Sequence, residues 1–185
     1  MHRRQPPPRL WLMTDERQGE ALWTALARLP RGAGIVFRHY GLAPEERRRL
    51  FERIRGIAKR RGLVLVLAGD AQTARAWGAD GSHGKAVAGA HAGLRTMSAH
   101  SARELVTARR AGADLVFLSP VFATRSHPGG GTLGRVRFGL LARQAAMPVI
   151  ALGGMDAARG RALLALGASG WAAIDAWSGP ASRGS

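Results

Sequence analysis

The 185-residue sequence predicts an α/β fold of the (β/α)8 TIM-barrel type, and three observations carry that prediction. Apolar runs with strand spacing occur eight times, helical periodicity fills most of the gaps between them, and one short phrase recurs where helices end. The phrase reads Ala74-Arg-Ala-Trp-Gly-Ala-Asp80, Ala108-Arg-Arg-Ala-Gly-Ala-Asp114 and Leu163-Leu-Ala-Leu-Gly-Ala-Ser169, each leading into an apolar run. The first two copies lie 34 residues apart, one strand–helix unit, and the third lies 55 further on, two units. Strands alternating with helices require a parallel sheet with right-handed crossovers. Eight such units close a barrel. The chain is shorter than the ~200 residues usual for the class, so the last helix is expected to be vestigial. A doubly wound open sheet is the alternative arrangement of the same elements.

The elements follow in order. Met1–Pro8 is basic and proline-rich with no apolar core behind it, so it reads as a disordered tail and not as a signal peptide. The barrel domain is expected over 9–178, with a second tail over 179–185. Leu10–Thr14 is the first strand, followed by a helical pattern at 16–29. Ile35–Tyr40 is the second, and Pro44 before Glu45-Glu46 opens a helix at 44–61, since proline lacks only a donor that the first turn cannot use. Leu63–Ala68 and a helix at 71–77 come next, then the short run Gly81–His83. Leu94–Ser98 is the fifth strand, and Ser101-Ala-Arg-Glu104 is a capping box for a helix at 101–111. Leu115–Val121 enters a long Gly-rich segment, 118–134, before a helix at 135–146; connections of that length are usually functional or disordered. Pro148–Leu152, a helix at 156–166 and Trp171–Asp175 complete the series. Gly62, Gly78, Gly112 and Gly167 each follow a helix, where a left-handed cap favours glycine.

Composition narrows the function. The net charge is +16, from 28 basic and 12 acidic residues, which invites a polyanion-binding module. Only Lys59 and Lys85 are lysines, and the densest arginines, Arg47, Arg48, Arg49, Arg53 and Arg55, share a helix with Glu45, Glu46 and Glu52. A solvated helix face is the expectation, so nucleic acid is not the expected partner. There are no cysteines, which excludes disulfides, thiolate metal sites and a cysteine nucleophile. No run reaches the ~18 apolar residues of a membrane span, and cytoplasm is the expected location.

Barrel sites form at the carboxyl ends of strands, with phosphate commonly held after strands 7 and 8. Gly153-Gly154, after the seventh strand, allows close backbone approach to an anion; a tight strand–helix turn is the other reading. Asp15, Arg38, Asp70, His83, Ser98, His100 and Asp175 end the other strands. His83 and His100 read as acid–base groups, metal ligands or buried structural histidines. Ser98 and His100 point to the same face of a strand.

Gly78-Ala-Asp-Gly-Ser-His83, Ser98-Ala-His100, Ser119-Pro-Val-Phe-Ala-Thr124, Pro148-Val-Ile-Ala-Leu-Gly-Gly-Met155 and Gly167-Ala-Ser-Gly170 together resemble thiamine phosphate synthase and its thiazole tautomerase (TenI-like) relatives, from about residue 10 to 177. The resemblance implies the barrel and a transferase that joins hydroxymethylpyrimidine pyrophosphate to a thiazole phosphate, releasing pyrophosphate, with magnesium on the pyrophosphate. Its partners are then phosphorylated small molecules. By resemblance, Arg38, Ser98 and His127 are the candidate catalytic residues. Arg38, His83, His100, Thr124, Gly153, Gly154 and Asp175 are the candidates for phosphate or substrate binding. Several positions depart from the family pattern. Tyr40 replaces a lysine, Asp70 lies one place late for a magnesium ligand, and Gly84–Ala88 offers no second carboxylate. Ser126-His127 stands where the synthase has threonine and lysine, Pro120 where the tautomerases have histidine, and Asp175 where a serine cradles the thiazole phosphate. Asp70 is the one candidate metal ligand. The function expected is a synthase with a modified site; the alternative is a member that binds a thiamine-related phosphate or assists the pathway without synthase activity.

Overall fold

A computed structural model describes residues 6–84, 93–124 and 131–179. Its strands are β1 (Leu10–Met13), β2 (Gly34–Phe37), β3 (Val64–Ala68), β4 (Gly81–His83), β5 (Leu94–Ala99), β6 (Leu115–Leu118), β7 (Val149–Leu152) and β8 (Gly170–Ala173). They pair in parallel in chain order and β8 returns to β1, so the sheet is a closed eight-stranded barrel and not a doubly wound sheet. The helices among the described residues are α1 (Ala21–Arg28), α2 (Pro44–Arg61), α3 (Ala71–Ala76), α4 (Ala102–Arg110), α5 (Gly134–Gln144) and α6 (Ala157–Leu164).

Strand alternation sorts the apolar residues into an interior and an outer shell. Trp11, Met13, Val36, Val66, Phe117, Ile150 and Ala172 fill the barrel, with the Trp11 and Phe117 rings edge to face at 5.3 Å. Leu12, Ile35, Phe37, Leu65 and Leu67 pack outward on Leu26, Phe51 and Ile54 of α1 and α2. Val116, Leu118, Val149 and Ala151 pack on Leu105, Phe138 and Leu163 of α4 to α6. Each fully buried Leu, Ile or Phe is worth about 1.5–3 kcal/mol, which makes these two layers the main stabilising term.

The recurring helix-end phrase has a mechanical role. Gly78, Gly112 and Gly167 take positive φ, as does Gly62. The residue two places after the glycine then reaches back to the start of the preceding strand. The Asp80 carboxylate accepts from Leu65 N at 2.7 Å, while Asp80 N donates to Leu65 O. The Asp114 carboxylate accepts from Arg95 N at 2.7 Å, while Asp114 N donates to Arg95 O. Ser169 N donates to Val149 O at 2.7 Å.

Several local expectations are corrected. The helical pattern at 16–29 divides at Gly19, φ 46°, into a 3-10 turn at Glu16–Gln18 and α1, and the turn is the reciprocal capping box, with Asp15 and Gln18 as its two members. At Ser101 the hydroxyl accepts from Glu104 N, but the Glu104 carboxylate returns to His100 N at 2.7 Å, one residue before the cap. Pro8, in the expected tail, is buried, and its carbonyl accepts from Trp11 Nε1 at 2.7 Å. Arg47 does not lie on a solvated face. Its guanidinium donates to Arg38 O and Ala68 O, within 6 Å of the Phe37, Tyr40 and Trp77 rings, and burial lowers its pKa. Where an eighth helix would lie, 174–179 forms turns. There Trp177 stacks on Trp171 at 4.8 Å and its Nε1 donates to Trp11 O at 3.0 Å.

Inside the barrel, a Cβ on Gly34 would lie 2.2 Å from the Trp11 ring. Gly34→Ala should therefore lower unfolding stability by about 1–3 kcal/mol through overpacking, measured by urea denaturation.

Candidate functional site

The polar side chains singled out in the sequence lie at the carboxyl ends of the strands, where a barrel does its chemistry. Beyond β1 and β2 a fixed network holds Arg38. Its amide donates to Thr14 Oγ1 at 3.0 Å, its Nε to Thr14 O at 2.8 Å and its Nη2 to Asp15 Oδ2 at 2.9 Å. Asp15 also receives Arg17 Nε and Nη2, at 2.7 and 3.0 Å, and those hydrogen bonds hold its carboxyl below the usual range. Burial lowers the pKa of Arg38, and Asp15 offsets part of that effect. Thr14 Oγ1 also lies 3.0 Å from Nδ1 of the buried His39.

Across the mouth, His83 ends β4 with its ring edge to face on Phe117. Its Nδ1 lies 2.9 Å from Thr96 Oγ1, and its Nε2 lies 3.3 Å from Ser98 Oγ. Thr96 Oγ1 lies 3.4 Å from Ser82 O. The arrangement that satisfies all three contacts puts the proton on Nδ1 and has the exposed Ser98 hydroxyl donate to Nε2. Burial, with a smaller contribution from the Arg38 charge, lowers the His83 pKa to about 4. A neutral imidazole at physiological pH orients Ser98 but is a poor base, so a polar surface that positions ligand is the chemistry this group offers. His100 diverges from Ser98: its Nδ1 donates to Ser119 O at 2.7 Å, tying β5 to the start of the long connection.

Beyond β7 and β8 lies a cleft of about 250 Å³ lined by Thr124, Gly153, Gly154, Asp156, Arg159 and Asp175 among others. Gly153 and Gly154 have φ of 98° and 59°, and a Cβ there would lie 2.8 Å from Pro120 Cα and 2.5 Å from Ala123 O. Packing against the connection after β6 thus requires both glycines, quite apart from any ligand. Arg159 is a cleft residue that sequence reasoning missed; its signal was an arginine three places after the helix cap Asp156. It donates to Gly154 O, and its guanidinium lies 4.8 Å from the Phe122 ring centroid. The electrostatic influence of Asp175 reaches Arg17. His127 lies outside the described residues.

Asp70 caps α3. Its two carboxylate oxygens accept from Thr73 N and Thr73 Oγ1, both at 2.7 Å, and the backbone bond leads in lowering its pKa. No cluster of three His, Asp or Glu groups able to hold a metal occurs among the described residues. From Gly81 to Arg103 the sequence contains no carboxylate. Magnesium keeps several waters and takes one or two protein carboxylates beside substrate phosphates, and of the two positions expected to supply them only Asp70 carries a carboxylate.

The closed barrel with its polar groups gathered at one mouth is the architecture of a (β/α)8 enzyme scaffold. A sequence model of that class described as thiamine monophosphate synthase matches residues 10–177, and the chain belongs to that family, which places it among the barrels of thiamine biosynthesis. The putative thiamine-phosphate synthase 2 of Aquifex aeolicus is 30% identical over 159 residues, covering 80% of this chain and 86% of that protein. The thiamine-phosphate synthase of Chloroflexus aurantiacus is 30% identical over 132 residues, 66% of this chain and 61% of that one. The structure of thiamine phosphate pyrophosphorylase from Pyrococcus furiosus shares the fold at a TM-score of 0.79 and 22% identity, over 95% of this chain and 90% of that one. The family uses phosphorylated small molecules, and no helix among the described residues is long and apolar enough to cross a membrane.

His83 gives the site a pH signature. Its folded pKa of about 4 lies below the ordinary histidine value of 6.5, so between those values the unfolded chain binds a proton that the folded chain refuses. Its stabilising effect is complete above about pH 6.5 and is lost as pH falls towards 4. Burial lowers His39 in the same direction. His83→Gln should flatten the slope of stability against pH in that window, read by denaturant titration at each pH.

Proposed function

We propose that the protein is a thiamine-pathway barrel that binds a phosphorylated pyrimidine intermediate at its mouth without magnesium, and that it does not condense the pyrimidine and thiazole halves at the rate of a synthase. The single observation that carries this reading is the engagement of both Asp70 oxygens by Thr73 in a helix cap. A cation meant to bridge pyrophosphate needs carboxylates free to face it, and no second carboxylate follows in 81–103 to replace Asp70. Arg38 supplies positive charge in its place. Thr14 and Asp15 hold its guanidinium, so little side-chain entropy remains to be lost when an oxyanion arrives. Ser98 and His83 offer neutral hydrogen-bonding groups to the heterocycle, and His100 and Thr124 belong to the rim of the same mouth. His127 is assigned to the phosphate side by resemblance alone.

A second reading, a synthase with a modified site, is favoured by the Arg38 charge acting on His83 beside Ser98. In it, pyrophosphate departs from a pyrimidine cation that the thiazole nitrogen then attacks, and Arg38 with His127 stabilises the leaving group.

Incubation with both substrates separates the two. We expect no thiamine phosphate and no released pyrophosphate, with or without magnesium. Calorimetry should find that the pyrimidine pyrophosphate binds equally in magnesium and in EDTA, and that Arg38→Met weakens binding by about tenfold or more. Magnesium-dependent product formation would overturn the first reading in favour of the second.

A further inference from the structure

One flank of the barrel gathers most of the apolar side chains left in solvent. Of the five large hydrophobic residues exposed among the described ones, four lie on α4 to α6: Val106, Val136, Leu140 and Leu164. Val136 and Leu140 are 79% and 55% exposed and stand one turn apart on α5, and Arg143, also exposed, continues the same ridge. The opposite face of α5 seats Phe138, Leu141 and Ala142 in the core, so the apolar residues of the ridge are surplus to the fold. Beside it a groove of about 100 Å³ runs between α4 and α5, with buried Leu105 at its base and Val106, Arg109 and Gln144 along its sides. The charges on this flank have one sign. α5 and α6 contain no Asp or Glu, and α4 contains only Glu104, whose carboxylate accepts from His100 N. Arg109, Arg110, Arg137, Arg143 and Arg161 are exposed, and among the described residues, which include every Asp and Glu of the sequence, none of the five has a carboxylate partner. α2 shows the contrast, since Arg48 and Arg55 both pair with Glu52.

Apolar groups interleaved with guanidinium groups are the chemistry of a protein interface. Arginine is enriched and lysine depleted in such surfaces, and the planar fork binds a carboxylate through two parallel bonds. Nucleic acid would leave Val136 and Leu140 without a complement, because the only aromatic ring on α4 to α6 is the buried Phe138 and none is presented for base stacking. A helix that lies in a lipid surface separates an apolar face from a charged one, whereas Arg143 shares its ridge with Val136 and Leu140. A second copy docked through the same face would set arginine against arginine, and that repulsion selects against self-association here. We propose that the α4–α6 flank docks an acidic amphipathic segment of another protein, with the partner's apolar side chains on Val106, Val136 and Leu140 and its carboxylates on the arginines around them. The flank is the outer wall of the barrel and not its mouth, so a protein partner and a small-molecule ligand can be held together.

The test uses the full chain and a dye-labelled helical peptide with Leu at heptad a and d positions and Glu elsewhere, read by fluorescence anisotropy. Wild type should bind this peptide with an affinity that falls as salt rises, and should bind the same peptide with Gln for Glu about tenfold or more weakly. The double variants Val136→Ser with Leu140→Ser, and Arg137→Glu with Arg143→Glu, should each weaken binding of the acidic peptide by about tenfold or more. Arg49→Glu with Arg60→Glu makes the same charge change on exposed positions of α2 and should alter binding by no more than about twofold. Thermal melts confirm that all three variants fold. Failure of wild type to bind the acidic peptide, or equal losses in the α2 and α5 variants, overturns the proposal. Duplex DNA or phosphatidylglycerol vesicles bound more tightly than the peptide, and released by the same α5 variants, would also overturn it by assigning the flank to another class of partner.

Discussion

Everything at the mouth depends on closing the sheet between its last strand and its first. At that seam Trp171 N donates to Arg9 O at 2.9 Å, and a Cβ on Gly170 would lie 1.8 Å from the same oxygen. Glycine is what lets β8 come within bonding distance of the chain entering β1. Outside the seam an indole does the work of a helix, since Trp177 stacks on Trp171 and bonds to Trp11 O. Inside, Trp11 fills the barrel against Phe117 and Gly34. An open sheet could not hold Asp15, beyond β1, and Asp175, beyond β8, close enough to share the influence of Arg17.

Part of the arginine excess is absorbed by the fold. Arg47 sits on the carbonyls beyond β2 and β3, Arg61 donates to Leu26 O and Leu29 O, and Arg53 stacks on Trp23. Guanidinium suits these places because it is planar and weakly hydrated, so burying it beside aromatic rings costs less than burying an ammonium. Arg17, Arg38 and Arg159 all pair with carboxylates at the mouth. Among the described residues a high formal charge therefore coexists with a mouth whose arginines are set against carboxylates.

The sequence disclosed the architecture well because barrel periodicity is local. Each apolar run, helix start and helix-end glycine depends on neighbours a few residues away, so Gly62, Gly78, Gly112 and Gly167 could be assigned from position alone. Strand ends were less legible. The run Ile35–Tyr40 stops as a strand at Phe37 because the Arg38 amide turns to the Thr14 hydroxyl, a partner 24 residues away. The site was legible as residue types and not as pairings. Arg38, His83 and Ser98 can be singled out as candidates by type and position, but the buried Thr96 behind His83 and the carboxylate Asp15 behind Arg38 come from other strands. Asp70 reads equally as a metal ligand or a cap until Thr73 is seen to bind both its oxygens.

The carboxylates of Asp80 and Asp114 have a wider meaning. Each belongs to an even-numbered strand's entry and grips the start of the odd-numbered strand before it, and Ser169 does the same through its backbone. The strand pairs β3–β4, β5–β6 and β7–β8 thus each carry an extra tie at their entry, added to the ladder that closes the barrel. In native-state hydrogen exchange such pairs are the natural units of cooperative opening. The β7–β8 cleft lies within one unit, whereas the His83–Ser98 contact spans the joint between two. A ligand that seats on both histidine and serine would act as a splint across that joint, and its binding would be felt as slowed exchange on both sides of the mouth.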